Sequence, residues 1–146
     1  MSGGSSGGGD GETRQMRLMG LHHVTAITRD LERTTAFYRD VLGLALVAEE
    51  SNPDDPQARH FWFGDASGMR ISFLEYPELE AQPAGGASLH HFALKVSSDE
   101  ELSAWVDYLR SRDVECTEVL DRGRFSSIYL HDPDGRIVEI ASPDRT

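Results

Sequence analysis

The segment LHHVTAIT begins at Leu21 and LHHFALKV at Leu89, so a strand-like stretch carrying a histidine pair recurs after 68 residues. The same offset carries Phe37 onto Trp105 and Val41 onto Leu109. An offset of 67 carries DASG at Asp65 onto DPDG at Asp132, and Ser72 onto Glu139. Several landmarks kept in order at one period mark a duplicated supersecondary unit. Each copy reads strand, helix, strand, then two strands joined by a tight Asp/Gly turn. The expected fold class is α+β: two tandem βαβββ modules combining into a curved, cup-like mixed sheet with helices outside. Each module offers an exposed sheet edge, so pairing between modules is expected.

Local signals agree with that order. Asp30 can cap a helix running to about Leu42, with Phe37, Tyr38, Val41 and Leu42 at helical spacing and Gly43 closing it. In the second copy Ser98 with Glu101 resembles a capping box, and Leu102, Trp105, Val106 and Leu109 form the buried stripe. LALVAEE and VECTEV read as strands. RHFWFGD with MRISFLEY, and SSIYLHD with RIVEIAS, read as hairpins. SNPDDPQA, rich in Pro and Asp, reads as a loop long enough to cover the mouth of the cup.

Residues 1–16 include the Gly/Ser tract MSGGSSGGGDGE, which cannot bury apolar surface and reads as a tag remnant or disordered arm. A single folded domain is expected over 17–146, with module one at about 17–80 and module two at about 87–143. No apolar run approaches the roughly 20 residues that span a bilayer, and the start of the chain lacks the apolar core of a signal peptide. Neither a membrane nor secretion is expected, and the cytoplasm is the default location. A net charge of −11 argues against nucleic acid, whose phosphates require clustered Lys and Arg. The single cysteine, Cys116, reads as a packing residue.

Period-two alternation sorts the strands into faces. Val24 and Ala26 oppose His23, Thr25 and Ile27, while Phe92, Leu94 and Val96 oppose His91, Ala93 and Lys95. Val138 and Ile140 belong beneath a helix, which turns Glu139 to the concave face, where Tyr129 can join it. Two imidazoles and one carboxylate on inner strand faces suit Fe(II), Mn(II), Ni(II) or Zn(II). A set of only three leaves coordination positions open. His22 and His90 adjoin the proposed ligands. His23 and His91 are preferred because the residues opposite them fall in line with the apolar positions.

The paired modules, the HHV and HHF strand starts and the DPDGRIVEI ending resemble the vicinal oxygen chelate superfamily, which includes glyoxalase I, extradiol dioxygenases, fosfomycin-resistance enzymes and bleomycin-binding proteins. The resemblance covers residues 17–143. More narrowly, LHHVTAITRDLERTTAFYRDVLGLALV and DRGRFSSIYLHDPDG resemble ring-cleaving dioxygenases that open hydroquinones with Fe(II). That resemblance implies metal ligands at His23, His91 and Glu139. It places His22 and Thr25 near an aromatic substrate, and Arg122 and Tyr129 beside the metal. It also implies O2 as co-substrate. The departure is length, because those dioxygenases usually carry four modules and this chain has two.

Glyoxalase I uses a fourth ligand, a Glu whose counterpart here is Ser72, and Glu75 falls on the opposite face. No concentration of Lys and Arg suits a phosphonate, and a pure binding module would not need a metal triad. A Lewis-acid enzyme using Mn(II), Ni(II) or Zn(II) without oxygen, such as a lyase, an isomerase or a thiol transferase, is the alternative reading; a small-molecule binding or resistance protein is the third. His22 is expected to take a proton from the substrate, Tyr129 to donate a hydrogen bond, and Arg122 to stabilise developing negative charge. Trp62 and Phe125 are candidate ring contacts. A homodimer is expected, since short members of the superfamily often exchange modules.

Overall fold

A computed structural model describes residues 16–52, 54–79 and 89–145. All but the last residue of the Gly/Ser-containing arm lies outside the described residues. In chain order the elements are β1 (Val24–Thr28), α1 (Leu31–Thr35), a π-helical turn (Ala36–Val41), β2 (Ala45–Asn52), β3 (Asp55–Gly64) and β4 (Arg70–Glu75). The second module supplies β5 (His91–Lys95), α2 (Asp99–Ser111), β6 (Leu120–Asp121), β7 (Ser126–His131) and β8 (Ile137–Ala141).

The two modules share one topology, β1-β4-β3-β2 and β5-β8-β7-β6. In each, the first strand runs parallel to the last and the remaining pairs are antiparallel. Thr25 pairs with Ser72, and Ala93 with Glu139, so the ladders reproduce the sequence offsets of 68 and 67. The Asp/Gly turns form as their residues dictate: Gly68 and Gly135 take positive φ, 93° and 84°, which a side chain would oppose.

Asp30 caps α1, its Oδ1 accepting from the Glu32 and Arg33 amides at 3.0 and 3.2 Å. The expected regular helix to Leu42 widens after Thr35 into π geometry, with the Leu42 amide donating to the Phe37 carbonyl at 2.9 Å. Within the widened turn Tyr38 is fully buried, and its hydroxyl donates to Asp132 Oδ2 of the other module at 2.7 Å. In α2, Ser98 caps as expected, but Glu101 reaches back to Ser97 rather than closing a box on Ser98.

Two further expectations are corrected. SNPDDPQA is largely strand, since β2 runs to Asn52 and β3 starts at Asp55, and an Asn52–Asp54 contact tightens the hairpin. VECTEV forms only a bridge between Cys116 and Leu130. There the Thr117 amide pairs with the Tyr129 carbonyl, but the Tyr129 amide donates to the Thr117 side-chain oxygen, which interrupts the ladder.

Leu31, Tyr38, Phe63 and Phe73 of module one and Leu102, Leu109, Ile128 and Val138 of module two belong to one buried core. Burying each such side chain contributes about 1.5–3 kcal/mol. No strand pairing joins the two sheets among the described residues, so the expected edge pairing of the modules does not occur within one chain. Side chains join them instead. Asp134 accepts from the Arg29 amide at 3.2 Å, and Arg136 stacks over the Phe73 ring while donating to the Ile27 carbonyl. Among the described residues no helix is long and apolar enough to cross a membrane.

Candidate metal centre

Alternation along β8 buries Val138 and Ile140 in the core and turns Glu139 to the opposite face, where it is nevertheless only 4% exposed. Its Oε1 lies 2.9 Å from His91 Nε2, and its Oε2 accepts from the Tyr129 hydroxyl at 3.1 Å. Tyr129 stands directly opposite Glu139 in the β7–β8 ladder. Arg122 lies 5.7 Å over the Tyr129 ring, so it meets the aromatic face rather than the carboxylate. The Nδ1 of His91 faces that of His90 at 2.8 Å, which leaves Nε2 on the carboxylate.

Module one presents the matching half. His23, immediately before β1, has its Nδ1 2.9 Å from that of His22. Its ring meets Trp62 edge-on with centroids 4.8 Å apart, and Trp62 lies 4.9 Å from His60. Thr25 is bound to Ser72, hydroxyl to hydroxyl, at 2.7 Å. The position that carries Glu139 in module two is thus occupied here by a satisfied hydroxyl pair.

His23, His91 and Glu139 do not bring their donor atoms within 4.8 Å of one another in one chain. The described residues contain one such group of potential ligands, Asp30, Glu32 and Glu75. Arg59 bridges Glu32 and Glu75 at 2.9–3.1 Å, and the Leu31 amide donates to Glu75. Arg59 draws both Glu carboxyls below their ordinary values. That cluster already has its cation.

Glu139 lacks one. A buried carboxylate without a guanidinium or ammonium partner is costly unless a cation is supplied. Two converging donors, an imidazole nitrogen and a carboxylate oxygen, fit a divalent transition metal. The residues therefore suit the ion that the sequence implies.

A pocket of about 500 Å³ adjoins the His23 half, with His22, His23, Arg70, Ile71, Phe92 and Leu94 in its lining. Phe125 is not part of that lining, and Trp62 meets His23 directly. His60 and Arg70 were not singled out from the sequence. Strand alternation alone puts His60 on the face of Trp62, and Arg70 on that of Ser72. The His60 Nε2 is buried without a hydrogen-bond partner, and burial draws the imidazole below the usual histidine range, assisted by His23 and opposed by Glu50.

The family model described as the Glyoxalase/Bleomycin resistance protein/Dioxygenase superfamily matches residues 20–140. Bacillus subtilis MhqO, which bears the name putative ring-cleaving dioxygenase, is 46% identical over 129 residues, 85% of this chain and 40% of that protein. The chain spans about two fifths of the length of such relatives, MhqA among them. The fosfomycin resistance protein FosX of Listeria monocytogenes is 27% identical over 125 residues, 84% of this chain and 89% of that protein. A solved glyoxylase/bleomycin resistance protein/dioxygenase domain from Frankia sp. EAN1pec has a TM-score of 0.78 at 18% identity, covering 88% of this chain and all of that one.

Proposed function

The chain belongs to the Glyoxalase/Bleomycin resistance protein/Dioxygenase superfamily, and from that premise we propose that it is a non-haem Fe(II) dioxygenase that opens a small hydroquinone- or catechol-like ring. The observation that carries the reading is the buried Glu139, which has no Lys or Arg partner among the described residues and is gripped by His91 and Tyr129. The identity to MhqO supports the choice of reaction within the superfamily. His23, His91 and Glu139 would hold the metal, and three protein ligands leave room for substrate and oxygen. Bound iron would supply the electron exchange that lets triplet O2 react with a singlet ring.

The remaining roles belong to the chain. Tyr129 holds the Glu139 carboxylate through Oε2, fixing the direction in which its other oxygen points. His22, beside His23, takes the proton of a phenolic hydroxyl at a ring nitrogen. Arg122, on the Tyr129 ring, adds positive charge where the opened product gains a carboxylate. Thr25 lends its Ser72-bound hydroxyl to the wall beside the ring.

We further propose that two copies share each site, His23 coming from one chain and His91 with Glu139 from the other. The separated donor atoms and the unpaired β1 and β5 edges support this. So do Leu18, Met19, Leu21 and Leu89, apolar side chains left 58–100% exposed beside the two histidine pairs.

The test is oxygen uptake by protein loaded anaerobically with Fe(II), then given hydroquinones and catechols. Uptake that requires both iron and ring, with one O2 consumed per ring opened, is expected. Iron-loaded protein that consumes none across the panel would overturn the reading. Turnover by Mn(II)-loaded protein without oxygen would establish the Lewis-acid class instead. Tyr129→Phe removes one hydroxyl from the carboxylate and is expected to weaken divalent-metal binding about 10- to 100-fold, read by competition with a chromophoric chelator.

A further inference from the structure

We propose that Arg70 selects substrates whose ring carries a carboxylate on a short side chain; the inference rests on the ring-opening reading above and assigns its substrate class. Arg70 begins β4 and faces Gly64 of β3 across the ladder. A Cβ at Gly64 would collide with Arg70 Nη1 and come within 2.7 Å of the Met69 carbonyl oxygen. The missing side chain at 64 is what lets the guanidinium lie across the neighbouring strand. Nη1 then donates to the Met69 carbonyl at 2.9 Å.

No carboxylate lies within 4.0 Å of that guanidinium among the described residues, in a chain with 25 acidic and 14 basic residues. Arg29, Arg33, Arg39, Arg59, Arg124, Arg136 and Arg145 all have acidic partners. Asp65, whose carboxyl feels the charge of Arg70, is committed to the Ser67 amide and hydroxyl. Arg70 is also the one Lys, Arg, Asp or Glu in the lining of the pocket beside His22 and His23. A half-buried cation with open donors, on the strand face of Ser72 and beside His22 and His23, matches a ligand with a carboxylate end. The guanidinium fork takes a carboxylate in two parallel hydrogen bonds.

The probes are (2,5-dihydroxyphenyl)acetate and methylhydroquinone, which share a ring and differ in a carboxylate. Each is titrated calorimetrically, without oxygen, into Fe(II)-loaded protein. Binding of the acid about 10- to 100-fold tighter than the methyl compound is expected, the range for hydrogen bonds to a charged group. Arg70→Gln should abolish that preference while leaving methylhydroquinone affinity within about twofold, and Arg70→Lys should retain part of it. Gly64→Ala should lose it as well, by displacing the guanidinium. Equal affinities in the unaltered protein, or a preference surviving in Arg70→Gln, would overturn the assignment. Oxygen uptake with methylhydroquinone reports on ring opening alone. Uptake without acid preference removes Arg70's role, whereas Arg70-dependent preference without uptake removes the oxidation and leaves the binding site.

Discussion

Mixing separately prepared His23→Ala and His91→Ala proteins, each deficient in metal on its own, is expected to restore about a quarter of the metal sites of the unaltered protein. The figure follows from sharing a site across two chains. After subunit exchange at equal amounts, half of the dimers are mixed. In a mixed dimer one site collects both substitutions and the other collects neither. Each single variant loses one of three ligands, and its affinity should fall by more than the 10- to 100-fold typical of losing an outer partner. Equilibrium dialysis against limiting Fe(II) or Mn(II) reads the recovered sites without requiring turnover. A site built within one chain gives no recovery at any mixing ratio, and that outcome would overturn the shared site while leaving the three ligands in place.

The direction in which Glu139 faces was legible in the sequence for a definite reason. Val138 and Ile140 flank Glu139 with unambiguous apolar residues, so a period of two left one choice of face; both are buried in the core, and Glu139 shares its face with Ala93 and Tyr129. The duplicated topology was equally legible, because hydrophobic spacing and the Asp/Gly turns are local. What escaped depends on contacts distant in sequence. The π-helical turn accompanies the reach of Tyr38 to Asp132, 94 residues away, and no window around Tyr38 contains that partner. The failed strand at VECTEV turns on a Thr117 side chain displacing a backbone acceptor, which propensity does not register. SNPDDPQA looked like a loop by composition, yet Asn52 pairs with Asp55 and Ser51 with Arg59, and residues 56–58 are carried between those pairs as a bulge in β3. The relation of His23 to His91 was not legible because alternation fixes a face and says nothing about which two faces close together.

Asp132→Ala is expected to destabilise the fold by about 3–5 kcal/mol, the usual cost of breaking a buried charge pair by removing one partner. Asp132 is 5% exposed. Its Oδ1 accepts from the Asp134 and Arg136 amides, both at 2.9 Å, and so shapes the turn before β8. Its Oδ2 accepts from Arg136 Nη1 at 2.6 Å and from Tyr38 of module one at 2.7 Å. Truncation leaves a buried phenol and a guanidinium without their acceptor and loosens the tie between modules. The repeat provides its own control. Asp65 is the counterpart of Asp132 but is exposed, its side chain bonding Ser67 in the turn, so Asp65→Ala should cost about 1 kcal/mol or less. In urea, with a slope of about 1–3 kcal/mol per M, the two midpoints should separate by roughly 2 M. Equal shifts would mean that the interior carboxylate only shapes its turn. A large shift confined to Asp132, with Tyr38→Phe reproducing about 1 kcal/mol of it, would locate the bond between the modules in that carboxylate.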